Sequence, residues 1–183
     1  MLALGTAAPA LSLPEVTTGK TVTLADFASR PVLVMFICHH CPYVKHVKVE
    51  LASLGRDYAS KLAIVAISAN DPAVSADDSP EGLRRMAADW QLNFPVCYDE
   101  TQAVAKAYQA ACTPDFFLFD AKHQLVYRGQ LDDSRPSNDK PVTGADLRSA
   151  IDSMLAGRPV SANQKPSLGC NIKWRPGNAP SYF

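Results

Sequence analysis

The sequence predicts one α/β domain in which a central mixed β-sheet is flanked by helices, with an N-terminal β-hairpin and an irregular C-terminal tail. Three observations carry this. The run Pro31-Val-Leu-Val-Met-Phe-Ile37 is continuously apolar and rich in β-branched residues, the pattern of a strand buried on both faces. After Pro42, apolar side chains recur at Val44, Val47, Leu51, Leu54 and Tyr58, steps of three and four that draw one helical face. Leu62-Ala-Ile-Val-Ala-Ile67 is a second buried strand, and the helix between the two implies a right-handed crossover to a parallel neighbour.

The remaining elements follow in order. Leu11-Ser-Leu13 and Val22-Thr-Leu24, separated by Thr17-Thr-Gly19-Lys20, predict a short hairpin capping a sheet edge. Ser79-Pro80 is an N-cap and first-turn pair, with Leu83, Met86 and Trp90 on one helical face behind it. A short strand from Phe94 to Tyr98 and a helix from Thr101 to Tyr108 come next. Phe116-Phe-Leu-Phe119 and Leu125-Val-Tyr-Arg128 form an antiparallel pair turned by Asp120-Ala-Lys-His-Gln124. Thr143 with Asp146 has the spacing of a capping box, Leu147, Ile151 and Leu155 supply the apolar face, and Gly157 the stop. The connections from Ala69 to Ser79 and from Gln130 to Val142 are long enough to be mobile or functional. The domain is expected to span residues 1–156. The tail, 157–183, has four prolines, four basic residues, no acids and no periodicity, so no secondary structure is predicted there; Leu168, Cys170, Ile172 and Trp174 are expected to pin it to the body.

A chain of 183 residues buries most of its apolar surface in a single core. Eighteen Lys and Arg balance eighteen Asp and Glu, and no basic stripe is interleaved with aromatics, which argues against nucleic acid as a partner. No apolar run reaches the roughly 20 residues of a membrane span. The first basic residue is Lys20, so the apolar stretch 2–13 lacks the charged region of a signal peptide, and a cytoplasmic location is expected. Five cysteines in a reducing compartment are not a disulfide framework, which makes reactive thiols the better reading.

Cys38-His39-His40-Cys41 stands where the first buried strand hands over to a helix opened by Pro42. A cysteine at a helix N-terminus has its thiolate favoured by the helix dipole, so the position suits a nucleophile. His40, and Lys45 one turn on, would add positive charge nearby. Two cysteines and two histidines could also suggest a metal. Adjacent residues on a tight turn do not readily converge on one ion, and no second Cys/His cluster with suitable spacing is present, so neither a metal nor a cofactor is expected.

The stretches Met35-Phe-Ile-Cys-His-His-Cys-Pro-Tyr-Val44, Phe94-Pro-Val, Cys112-Thr-Pro-Asp-Phe-Phe-Leu-Phe-Asp120, Tyr127-Arg-Gly-Gln-Leu-Asp-Asp-Ser-Arg-Pro136 and Gly169-Cys-Asn-Ile-Lys-Trp174 resemble the thioredoxin-like superfamily. Within it, the chain is similar to the AhpC/TSA, peroxiredoxin-like group, over residues 5 to 156. The resemblance implies a thioredoxin-like fold and a thiol–disulfide oxidoreductase of antioxidant type. It implies a cis bond at Thr113-Pro114, in a loop that faces a partner chain together with Pro42 and Tyr43. It also bears on register. In thioredoxin-like proteins an aromatic residue of the central strand lies five positions before the attacking cysteine, and five after Phe36 is Cys41. The other register makes Cys38 the attacker and Cys41 the resolver; Cys41 is favoured.

In the favoured register the position three after Cys41 is Val44, so the usual forward resolving thiol is missing, and Cys38 is expected to replace it. A turn holds residues i and i+3 within about 7 Å, and a disulfide needs Cα atoms about 4.4 to 6.8 Å apart, so closure is feasible. The three positions that make a peroxide site in peroxiredoxins are occupied by Val34, Cys38 and Pro114 in place of proline, threonine and arginine. Peroxidase activity through Cys41, with Cys38 or Cys170 resolving, is therefore the alternative. A redox-inactive binding module is the third reading. Cys112 and Cys170 are further candidate resolvers; Cys97 reads as strand core. The expected partners are a thiol reductant, or a disulfide-containing protein, or a hydroperoxide in the alternative reading. The expected state is a monomer or homodimer.

Overall fold

The computed structural model describes residues 2–182; residues 1 and 183, the outer ends of the expected domain and tail, lie outside the described residues. Five strands form the central sheet in the order β5-β4-β3-β7-β8, where β3 is Val32–Phe36, β4 Ala63–Ser68, β5 Val96–Tyr98, β7 Asp115–Phe119 and β8 Leu125–Gly129. The helices are α1 (Pro42–Tyr58), α2 (Pro80–Asp89), α3 (Ala103–Ala107) and α4 (Ala145–Leu155). Strand β3 pairs parallel with β4 and antiparallel with β7, while β4–β5 is parallel and β7–β8 antiparallel, so the sheet is mixed as expected.

All five side chains of β3 are buried because both faces of the sheet are covered. Leu33, Met35 and Ile37 point into a core with Val44, Val47, Leu51 and Leu54 of α1, Leu83 and Met86 of α2, and Leu147 and Ile151 of α4. Val32, Val34 and Phe36 point the other way, into a core with Val104 and Ala105 of α3, Tyr108, Phe117 and Phe119. The two-residue period of the strand thus serves two separate apolar layers.

The hairpin is present as β1 (Ser12–Pro14) and β2 (Thr21–Thr23), with Leu13 opposite Val22. It continues along β5 through a bridge between Glu15 and Cys97 and the Val16 N–H to Val96 carbonyl bond of 2.8 Å. Ser79 caps α2 as predicted, its hydroxyl accepting from the Gly82 N–H at 3.2 Å. The capping box predicted for α4 does not form. The helix starts at Ala145 after Gly144 in a left-handed conformation, and Asp132 supplies the cap from outside, Oδ2 accepting from the Thr143 and Gly144 N–H groups at 2.7 Å each. A carboxylate brought in by the 130–142 connection thus does what Thr143 and Asp146 were expected to do. Among the described residues no helix is long and apolar enough to cross a membrane.

The tail differs from its unstructured expectation. Cys170–Asn171 forms strand β9, antiparallel to β6 (Cys112–Thr113), with Thr113 opposite Cys170 and Cys112 opposite Asn171. Ile172 is 2% exposed and joins the Phe36 layer, and its N–H donates to the Ala111 carbonyl at 3.1 Å. Truncating this side chain removes buried apolar volume that the site depends on. Ile172→Ala should lower stability by about 2 to 5 kcal/mol, read as a shift in the urea midpoint at unchanged slope.

Candidate functional site

The site is built where the C-terminal end of β3 meets α1. Cys41 is the N-cap residue of α1, with extended backbone angles, and Pro42 occupies the first helical position, where its missing N–H goes unused. Cys38 and Cys41 are both fully buried. The Thr113–Pro114 peptide is cis and sits against both sulfurs. Cys38 Sγ lies 3.2 Å from the Thr113 hydroxyl, and Cys41 Sγ lies 3.4 Å from the Thr113 carbonyl oxygen, to which its thiol form donates.

The two sulfurs titrate as a pair pushed apart. The Cys38 thiol donates to Cys41 and holds the Cys41 sulfur well below the usual thiol range. Burial opposes this, and the Cys170 thiol together with the Val44 and Cys170 backbone N–H groups reinforces it. Cys38 is driven far up by the same bond, by burial and by the charge of Asp78, so it stays a neutral proton donor. Both shifts run in the sense that favours charge on Cys41 and a proton on Cys38.

The turn between them is held by Asp78, a residue in the 69–79 connection that sequence reasoning did not single out. Its carboxylate is fully buried. Oδ1 accepts from the His39 and His40 N–H groups at 2.8 and 3.2 Å. Oδ2 meets His40 Nδ1 and accepts from Asn70 Nδ2 at 2.8 Å. His40 is thus turned to Asp78. Lys45 contributes its backbone N–H to the Cys41 carbonyl at 3.0 Å, while its side chain is exposed on α1. His39 packs edge-on against Trp90 at 5.6 Å.

Of the other predicted residues, Tyr43 and Pro114 line one narrow crevice with Leu168 and Arg135, beside the cysteines. Cys170 reaches the site from the tail, and Cys112 does so less directly, its thiol turned to the Pro114 carbonyl at 3.9 Å. Burial pushes Cys112 up and Cys170 up to about 11. Cys97 is buried in β5, where desolvation also raises it, to about 12. The one group among the described residues that could hold a metal is Cys38, His40 and Asp78, whose ligand atoms lie within 4.8 Å of one another. Each of those atoms is already bonded, Cys38 to Thr113 and Cys41, and Asp78 to four donors that include His40.

Comparison with known proteins gives the wider frame. The chain belongs to the AhpC/TSA family, whose model matches residues 4–128. It is 51% identical to an uncharacterized conserved protein from Geobacillus kaustophilus, whose crystal structure superposes with a TM-score of 0.94 over 97% of this chain and 95% of that one. It is 28% identical over 118 residues to the thioredoxin-like protein YneN of Bacillus subtilis, covering 64% of this chain and 66% of that protein. The thioredoxin domain of a thiol-disulfide oxidoreductase from Bacteroides vulgatus, 21% identical, shares the fold with a TM-score of 0.60 over 70% of this chain and 89% of its own. The thioredoxin-like fold and family expected from the sequence are those found.

Two measurements test the electrostatics. The thiolate absorbance at 240 nm should be present at pH 7 in the reduced protein, fall only on acidification, and be missing in Cys41→Ser; a titration in the ordinary thiol range would contradict the pairing. Because the folded value is depressed, the stability it adds is full above the unfolded thiol pKa and is lost as pH falls through the folded one. Asp115, which follows the cis bond, behaves in the opposite sense. Burial pushes its carboxyl up to about 7, against the lowering effect of its bond from the Ser167 hydroxyl at 2.7 Å. The folded state keeps this proton while the unfolded chain loses it near pH 4, so stability falls as pH rises from about 4 to about 7. Urea midpoints for Asp115→Asn should gain on the wild type between pH 5 and pH 8.

Proposed function

We propose that this AhpC/TSA-family chain is a thiol–disulfide oxidoreductase in which Cys41 is the nucleophile and Cys38 the resolving thiol. The observation that carries the reading is the arrangement of the pair: Cys41 at the N-cap of α1, Cys38 three residues back, and both sulfurs against the cis Thr113–Pro114 peptide, with the pKa directions favouring charge on Cys41. The names of two Bacillus subtilis relatives, the thioredoxin-like protein YneN and the thiol-disulfide oxidoreductase YkuV, the latter 23% identical over 119 residues, agree with it.

The Cys41 thiolate attacks one sulfur of a partner disulfide, forming a mixed disulfide and releasing the first partner thiolate. With Cys41 now uncharged, the bond that kept the Cys38 proton in place is gone. Cys38 gives up its proton, attacks Cys41 Sγ and expels the second partner thiol, leaving Cys38–Cys41 oxidised. Thr113 and Pro114, buried beside β9 in the resting protein, face the partner together with Pro42 and Tyr43 once β9 is displaced. A thiol reductant of the cytoplasm restores the dithiol.

Disulfide-reductase assays should show Cys41→Ser losing all thiol-dependent turnover. Cys38→Ser should accumulate a covalent adduct of Cys41 with a protein disulfide substrate, visible as a mass shift that dithiothreitol reverses. Full activity in Cys41→Ser would overturn the mechanism. Fast peroxide consumption that depends on Cys41 and a thiol would transfer the protein to the hydroperoxide-reducing reading.

A further inference from the structure

A further cysteine, Cys170, is brought beside Cys41 from the opposite end of the chain by its pairing with Thr113. The tail is fixed on both sides of the site. On one side Gln164 Nε2 donates to the Val126 carbonyl at 2.9 Å, Gln164 Oε1 accepts from the Arg128 N–H at 3.0 Å, and the Gln130 N–H donates to the Lys165 carbonyl at 3.1 Å. On the other, Ile172 is buried, the Lys173 N–H donates to Asn70 Oδ1 at 2.9 Å, and the Lys173 carbonyl accepts from the Asp71 N–H at 2.8 Å. Between these anchors residues 166–171 cross the cysteines as a strap.

The strap is seated with little freedom. Cys170 pairs with Thr113, and Gly169 lies so close that an added Cβ would be 2.0 Å from the Thr113 carbonyl oxygen. That same oxygen is 3.4 Å from Cys41 Sγ, so the β6–β9 pairing sets Cys170 beside the Cys41 sulfur, near enough to favour its charged form. Cys38 and Cys41 are fully buried, whereas Cys170 is only half-buried, so of these three sulfurs it is the one open to solvent.

We propose that Cys170 is a third redox sulfur of this site, resolving Cys41 when the oxidant is a low-molecular-weight disulfide that leaves the strap near its place. The inference rests on Cys41 being the nucleophile. A protein partner aligned along Thr113 must displace β9 and carry Cys170 away, which leaves Cys38 to resolve. A small disulfide needs only a local opening of a two-residue pairing. Cys41 thiolate attacks it, forming Cys41–S–S–R and releasing RS⁻, which takes a proton. Cys170 then loses its proton and its thiolate attacks Cys41 Sγ; the bond to R breaks, and RS⁻ leaves with that proton. Two protein thiols become the Cys41–Cys170 disulfide and one small disulfide becomes two thiols. Reduction follows from the open side: an external thiolate attacks Cys170 Sγ and Cys41, the better leaving group, departs as thiolate; a second external thiolate then attacks the external sulfur of the Cys170 mixed disulfide, releasing Cys170 to take a proton and leaving the two external thiols joined as a disulfide.

The test uses bis(2-hydroxyethyl) disulfide as the oxidant and peptide mapping as the readout. Cys38→Ala should release two equivalents of mercaptoethanol per protein and yield a joined Cys41–Cys170 peptide pair. One equivalent, with Cys41 left as the mixed disulfide, would overturn the role of Cys170 while leaving Cys41 as nucleophile. No release at all, in this variant and in the wild type, would overturn both. Gly169→Val, with all cysteines intact, forces the strap off the Thr113 carbonyl. It should cut the yield of Cys41–Cys170 relative to Cys38–Cys41 at least tenfold, and an unchanged ratio would overturn the proposal.

Discussion

A charged sulfur with no solvent contact is tenable only where the protein supplies donors, because an unpaired buried charge costs far more than a single side-chain contact returns. At Cys41 those donors come from three separate stretches: the Cys38 thiol at the end of β3, the Val44 N–H in the first turn of α1, and the thiol and N–H of Cys170 in the tail. The helix dipole adds to them. The rest of the site follows from keeping these three stretches in register.

Asp78 is the main fixture. A buried carboxylate that accepts from two consecutive backbone N–H groups sets the shape of the His39–His40 turn, and so the relative placement of the cysteines on either side. Its second oxygen accepts from Asn70, and Asn70 in turn accepts from the Lys173 N–H of the tail. Gln102 closes the same network, donating to the Ala69 and Lys173 carbonyls at 2.6 and 3.0 Å. The turn that carries Cys41 and the strap that covers it are therefore tied to one set of hydrogen bonds. Networks of this kind fix one arrangement because leaving any member unpaired in low dielectric is costly.

The sulfurs are graded by exposure and by protonation. Cys38 is sealed and pushed toward its neutral form, Cys41 sealed and pushed toward its thiolate, Cys170 half-buried and pushed toward neutral. Burial alone would raise all of their pKa values; only the donors converging on Cys41 reverse the direction there. Cys97, buried in β5 without such donors, is raised mainly by burial, with the nearby Glu15 charge adding to it. Position in the donor field, and not residue type, separates a thiol pushed toward its anion from one pushed toward its neutral form.

The local elements were legible in the sequence because their causes are local. The apolar run 32–37, the three-and-four spacing behind Pro42, and Ser79-Pro80 each produce an element within a few residues of the signal, and Cys41 at an N-cap follows from Pro42 alone. The start of α4 was misplaced because its cap is a carboxylate twelve residues away, Asp132, which a search for Thr143 and Asp146 cannot find. Asp78 was invisible for the same reason: it stands 38 residues from the His40 N–H it accepts from, in a stretch with no periodic signal. The sequence by itself determined a buried strand delivering two cysteines to a helix start, since backbone geometry and side-chain period suffice for that. Only the tertiary structure decided which sulfur is pushed toward its charged form and that the strap carrying Cys170 is seated beside it, because those depend on donors and a glycine-sized gap at Thr113 contributed by distant parts of the chain.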